Sequence, residues 1–207
     1  MNADAQSARD DLAFLRALVG DDEQRTQRNF GEVYFVSGLI YGGQMILHAV
    51  QALGLLRQDG LTSLAIGLGP TLVFVPVLLW LIWRQRSERP SGTVGRAVAG
   101  VFGVIGLANL VLIVVIGSIA WREQSIATWL IYPCSVFVLQ GAAWLFAFMM
   151  RRQTWTALVA AGWFASAVAM ALSVMAMGYF ILFAGLGLWL CMALPGWAMM
   201  RNAARSV

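Results

Sequence analysis

A regular series of polar side chains interrupts an apolar stretch near the N-terminus, and it is the clearest candidate for chemistry in this chain. The series repeats at spacings of 3, 4, 3, 4 and 3 residues and consists of Tyr34, Ser37, Tyr41, Gln44, His48 and Gln51. This spacing places all six, here called the polar stripe, on one face of a helix. Because polar groups that face lipid are costly, we expect the polar stripe to face other helices or a wet cavity.

Two interpretations of the polar stripe remain open. It lines a hydrophilic pathway or small pocket, or it makes interhelical hydrogen bonds worth about 0.6 to 2 kcal/mol each. Asn109 and Gln140, in later apolar stretches, are the partners that we expect. His48 is the single histidine, so it is either a pH-sensitive group or a neutral hydrogen-bonding imidazole.

Most other kinds of catalysis and metal binding need residues that this chain lacks. All 14 basic residues are arginine, which excludes Schiff-base and lysine-nucleophile mechanisms. Asp59, Glu88 and Glu123 lie between apolar stretches, while Cys134 and Cys191 lie within them and do not form a metal-ligand cluster with the histidine. No Gly-x-Ser-x-Gly turn is present either. We therefore expect no enzymatic activity, no metal and no cofactor.

Composition identifies the elements that must position the polar stripe. Hydrophobic residues make up 60% of the 207-residue chain and charged residues only 12%, about half of what soluble domains carry. Six apolar stretches are long enough to cross a bilayer core of about 30 Å: 33–56, 61–83, 97–121, 125–150, 155–177 and 179–200. We predict an all-α, polytopic membrane protein with a six-helix domain at 33–200, and a tight turn at Gly178 and Tyr179.

A weak internal repeat suggests how the six helices pair. The motif Pro-x-x-Val-Phe-Val begins at Pro70 and again at Pro133, in the second and fourth stretches, and prolines occur in the even stretches only. This pattern favours three helical hairpins in parallel orientation. Chance similarity between apolar segments is the alternative.

Arginine placement predicts the orientation in the membrane. Twelve of the 14 arginines lie on the side that carries both termini, and only Arg57 and Arg122 lie on the other. Because positive charge is retained in the cytoplasm, both the tail 1–32 and the tail 201–207 are predicted to be cytoplasmic. The first 30 residues are polar and do not resemble a cleavable signal peptide. We expect the inner, or plasma, membrane of a bacterium.

The N-terminal tail is predicted to form a short amphipathic helix. A capping pattern begins at Ser7, and one apolar face precedes Gly20; that face consists of Leu12, Leu15, Leu18 and Val19. Residues 1–32 hold seven acids and four arginines, a net charge of −3 that suits a protein surface better than anionic lipid. The helix either docks a cytoplasmic protein partner or only anchors the chain at the interface.

From these patterns we predict a non-enzymatic membrane protein with an interaction role or a sensory and regulatory role. The alternative is a small-solute channel or transporter subunit that uses the polar stripe. The basic residues are explained by topology, so no nucleic-acid binding is expected. The lipid bilayer is an expected partner, and the many glycines leave oligomer formation open.

Overall fold

Helices joined by short connections make up the part of the chain that the structure, a computed structural model, describes. That part comprises the backbone of residues 3–57, 59–85 and 93–205, with side chains from residue 24 to residue 204 outside the gaps 58 and 86–93. No strand occurs in it. The helices are α1 (Ala3–Ala52), α2 (Gly60–Gln85), α3 (Thr93–Glu123), α4 (Ile126–Arg151), α5 (Thr154–Leu172), α6 (Met177–Leu188) and α7 (Leu194–Arg205), with a π-helical turn at Trp189–Ala193 between the last two.

Six helical segments among the described residues are long and apolar enough to cross a membrane. They are Gln24–Ala52, Gly60–Gln85, Val94–Glu123, Ile126–Arg151, Thr154–Leu172 and Met177–Ala204. The prediction of a multi-pass protein with six spans is therefore confirmed. The last of these segments joins α6, the π-helical turn and α7, and is called the final span below.

The first helix is longer than expected. Its backbone is helical without interruption from Ala3 to Ala52, so the predicted helix end at Gly20 is absent. One glycine costs a helix only about 1 kcal/mol relative to alanine, which is too little to stop it when helix formers continue on both sides. The side chains of the predicted docking face fall outside the described residues: Leu12, Leu15, Leu18 and Val19.

Short turns connect the later helices. Ser125 caps α4, because its side chain accepts the Thr128 backbone N–H at 3.2 Å. The turn between α5 and α6 covers residues 173–176, a few residues before the predicted position. Gly178 lies inside α6, where a Cβ atom would come within 2.8 Å of the Leu53 side chain. This glycine therefore allows close packing rather than a turn.

Most spans pack against the next span in the chain, and the final span also packs against α1. α1 lies between α2 and the final span; the final span then contacts α5, α5 contacts α4, and α4 contacts α3. α4 packs at least as closely on α5 as on α3, and the main partner of the final span is α1. The packing therefore does not divide the bundle into the three predicted hairpins.

Glycines bring the backbones of α1 and the final span into contact. A Cβ atom on Gly38 would lie 2.5 Å from the Ala193 nitrogen, and one on Gly196 would lie 2.7 Å from the Gly31 carbonyl oxygen and closer still to the Phe35 nitrogen. No side chain larger than hydrogen fits at these positions. Small residues of this kind let helices associate in a bilayer through van der Waals contact.

The π-helical turn lies at the centre of this contact. It ends two residues before Pro195, which has no N–H to offer the Cys191 carbonyl four residues earlier. The wider turn places Ala193 against Gly38. Local widening next to a proline is a common cause of a helix bend.

Replacing Gly196 with alanine should weaken the bundle, because the new methyl group would press on the backbone of α1. We expect Gly196→Ala to lower the unfolding free energy by about 1–3 kcal/mol, measured by loss of helicity during titration with a denaturing detergent. Gly103→Ala is the matched control, since a Cβ at Gly103 meets no atom within 4 Å. Equal unfolding midpoints for the two variants would contradict the packing.

Candidate functional site

The polar stripe occupies one face of α1, and its members contact different neighbours. Tyr34, Ser37, Gln44 and Gln51 are buried, whereas Tyr41 and His48 are half-buried. Tyr34, near the end of the bundle that carries the termini, contacts α4. Tyr41, Gln44 and Gln51, further along, meet α2, so the stripe is divided between two helices.

Tyr34 is the centre of a buried hydrogen-bonded network with α4. The indole Nε1–H of Trp144 donates to the Tyr34 hydroxyl oxygen at 2.7 Å, and that hydroxyl donates to Gln140 Oε1 at 3.3 Å. The structure therefore brings Gln140 to the polar stripe as the sequence suggested. Tyr34 and Trp144 are 5% and 3% exposed, so these bonds form away from water, where an unpaired donor would be costly.

An aromatic layer surrounds this network. Phe30 stacks on Tyr34 with ring centroids 5.2 Å apart, and Phe102 of α3 meets Phe30 edge-on at 4.9 Å. Trp144 in turn contacts Phe102 at 5.7 Å and Trp155 of α5 at 5.4 Å. Four helices thus meet through rings in edge and stacked geometries, which add stability beyond the area that they bury.

The middle of the polar stripe binds α2. Gln44 Nε2 donates to the Gly67 carbonyl oxygen at 2.9 Å, while the Tyr41 ring lies edge-on to Phe74 at 4.8 Å. The Gly67 carbonyl follows that of Ile66, whose helical partner N–H is missing because position 70 is proline. Neighbouring helices commonly supply donors near such prolines in membrane spans.

Two members of the stripe serve local structure. Ser37 donates to the Val33 carbonyl oxygen of its own helix at 2.7 Å. Gln51 Nε2 donates to the Arg57 carbonyl oxygen at 3.0 Å and to Ser63 Oγ at 2.9 Å, which ties the connection between α1 and α2 to both helices. These bonds hold α1 and its connection to α2 in place.

Asn109 is not joined to the polar stripe. Its Oδ1 is buried and accepts no hydrogen bond within the described ranges, and the same holds for Gln44 Oε1. α3 packs mainly on α4, so Asn109 lies on a helix that meets α1 chiefly through Phe102. Sequence spacing could not show this, because it carries no information on which helices are neighbours.

An open cavity of about 540 Å³ lies at the end of the bundle opposite the termini. It is lined by His48, Gln51, Ala52, Asp59, Gly60, Ser63 and Ile181. Asp59 caps α2 by accepting the Thr62 backbone N–H at 2.7 Å, and this bond lowers the pKa of the Asp59 carboxyl. Neither Gln44 nor Asn109 lines the cavity, so it stops at His48.

A second, smaller cavity lies near the termini, and sequence reasoning missed it. Its volume is about 60 Å³, and it is lined mainly by apolar and aromatic side chains from α1, α3, α4, α5 and α7, with Thr26, Gln27, Arg151 and Thr156 as polar lining residues. Phe30, Phe102, Trp144 and Trp155 form its aromatic wall. Trp144 is the residue that could have indicated this cavity from the sequence, since a tryptophan deep in a span is expected to pack between helices.

No group of three or more histidine, cysteine or carboxylate side chains is close enough to hold a metal in the described part of the chain. Cys134 is half-buried and Cys191 is buried, and both are free thiols. Comparisons with protein-family models, with curated proteins and with solved structures each returned no match to this chain.

The Tyr34 network should be measurable by a double-mutant cycle. Tyr34→Phe leaves the Trp144 N–H and Gln140 without their buried partner, so we expect a loss of about 0.6–2 kcal/mol of unfolding free energy. Trp144→Phe should cost less in the Tyr34→Phe background than alone, because the shared hydrogen bond is already gone. Tyr179→Phe, at a ring that is 52% exposed, is the control. Strictly additive losses would show that the bond contributes nothing.

Proposed function

We propose that this protein is a non-enzymatic membrane component that acts through interaction with a partner, in a sensory or regulatory role. The observation that carries the proposal is that the polar stripe is used for contacts between helices. Tyr34 binds α4, while Gln44 and Gln51 bind α2 or the connection to it. Polar groups that join helices in this way stabilise the bundle, and few of them remain to bind a transported solute.

The alternative, a small-solute channel or transporter subunit, requires a wet path along the stripe. The open cavity ends at His48, and nearer the termini the aromatic layer of Phe30, Tyr34, Phe102 and Trp144 leaves only a separate cavity of about 60 Å³. Between them, Gln44 is 8% exposed. Selectivity in a pore depends on polar groups that line it, and the Tyr34 hydroxyl and the Gln44 and Gln51 amide N–H groups are bonded to neighbouring helices or to the connection to α2.

The unbroken length of α1 supports an interaction role for its N-terminal part. Residues 3–23 continue the same helix that crosses the bundle, which adds about 30 Å of helix at 1.5 Å per residue. A partner bound to Leu12, Leu15, Leu18 and Val19 would hold one end of a helix whose other part contains Tyr34 and Gln44. A continuous helix transmits such a displacement better than a flexible linker does.

The membrane and its orientation belong to the same proposal. We place the protein in the bacterial inner membrane with both termini in the cytoplasm. Arginines at the ends of the spans support this orientation: Arg25, Arg28, Arg84, Arg96, Arg151, Arg152 and Arg201 belong to the end with the termini, against Arg57 and Arg122 at the other. The even number of candidate spans among the described helices supports placing both termini on the same side.

Partner binding should depend on one face of the N-terminal helix. We expect Leu15→Gln with Leu18→Gln to abolish co-purification of a cross-linked cytoplasmic protein, as deletion of residues 1–20 should. Ala13→Gln with Ala17→Gln is the matched control, because the helical repeat places these positions on the opposite side. Recovery of the same partner with the leucine variant, or equal loss in both variants, would contradict docking through this face.

Solute flux separates the proposal from its alternative. In proteoliposomes, stopped-flow light scattering with glycerol or urea should show no flux above that of protein-free vesicles. Replacement of Gln44 and His48 by leucine should therefore change nothing. Flux that exceeds the control and falls in this double variant would establish the transporter reading instead.

A further inference from the structure

A cleft between α1 and α2, at the end of the bundle that carries the termini, concentrates arginine side chains. It is about 280 Å³ in volume and is lined by Arg25, Arg28, Asn29, Glu32, Arg84 and Gln85. Three guanidinium groups and one carboxylate give this lining a net charge of +2. We propose that this cleft, called the arginine cleft, binds the phosphate group of an anionic membrane lipid.

Glu32 positions two of the arginines without neutralising them. Its Oε1 accepts Arg28 Nε at 3.2 Å, and its Oε2 pairs with Arg84 and accepts Gln85 Nε2 at 3.4 Å. The Glu32 side chain is 14% exposed, whereas those of Arg28 and Arg84 are 64% and 41% exposed. Because each guanidinium has five N–H donors, both arginines keep accessible donors after pairing with this single carboxylate.

Aromatic contact fixes Arg84 further. Its guanidinium lies over the Trp80 ring at 4.8 Å from the centroid, and Trp80 is 52% exposed on the outside of the bundle. Trp83 nearby is 66% exposed. Tryptophans at the end of a span mark the level of the lipid headgroups. The arginine cleft therefore opens at the depth where lipid phosphates lie.

The chemistry of the cleft selects the ligand. Planar guanidinium groups bind phosphate oxygens through paired N–H donors. Basic pockets between spanning helices on the cytoplasmic side suit anionic headgroups, and a zwitterionic lipid brings its own cation into an already positive cleft. An anionic phosphodiester lipid, such as phosphatidylglycerol, is thus the expected occupant.

The test measures lipids retained by the purified full-length protein. The protein is equilibrated in neutral detergent with equal amounts of phosphatidylglycerol and phosphatidylcholine, and bound lipid is counted by native mass spectrometry. We expect preferential retention of phosphatidylglycerol, reduced about fivefold by either Arg25→Gln or Arg84→Gln. Arg25→Gln leaves both Glu32 ion pairs in place, so it reports on the cleft even if Arg84→Gln fails to fold.

Arg201→Gln is the matched control. It removes the same charge at the same end of the bundle, and Arg201 also lies over a tryptophan, with 5.1 Å to the Trp197 centroid. Its retention of phosphatidylglycerol should equal that of the unaltered protein. An equal loss in Arg201→Gln would show attraction by general charge and overturn the proposal.

Two further outcomes would also overturn it. Equal retention of both lipids by the unaltered protein would show no preference for an anionic headgroup. Displacement of phosphatidylglycerol by inorganic phosphate at the same concentration would assign the cleft to a free anion rather than a lipid. Resistance to that displacement supports a lipid, whose acyl chains add contact along the spans.

Discussion

The backbone contact between α1 and the final span is the constraint on which the rest of the bundle depends. At Gly31, Gly38 and Gly196 the two helices approach so closely that a methyl group does not fit. Lipid is as apolar as the side chains, so helices in a bilayer gain stability from such close packing rather than from leaving water. This contact fixes how α1 is rotated about its own axis.

That rotation decides what the polar stripe can do. At 100° per residue, Gly31 and Gly38 are centred about 100° away from the polar stripe around the axis of α1. With the glycines turned to the final span, Tyr34 faces α4 and Gln44 faces α2. Tyr34 and Gln44 therefore add hydrogen bonds to the packing that the glycines begin, each with a neighbouring helix in place of water.

The two ends of the bundle differ in chemistry, and between them the helices pack closely around the buried Gln44. One end has an open polar cavity around His48, and the other has the aromatic layer and the arginine cleft. Contacts with molecules outside the bundle are thus expected at its ends. The continuous α1 passes through both regions, so a displacement of this helix would affect each of them.

The six spans can be predicted from the sequence, because burying about 20 residues of backbone in lipid requires an apolar helix of that length. The sequence also predicts the single polar face, since helical spacing is a local property. The folded bundle was needed to see that Gly178 packs rather than turns and that Asn109 lies apart from the stripe. These outcomes depend on which helices become neighbours, and apolar segments of similar composition do not encode that choice locally.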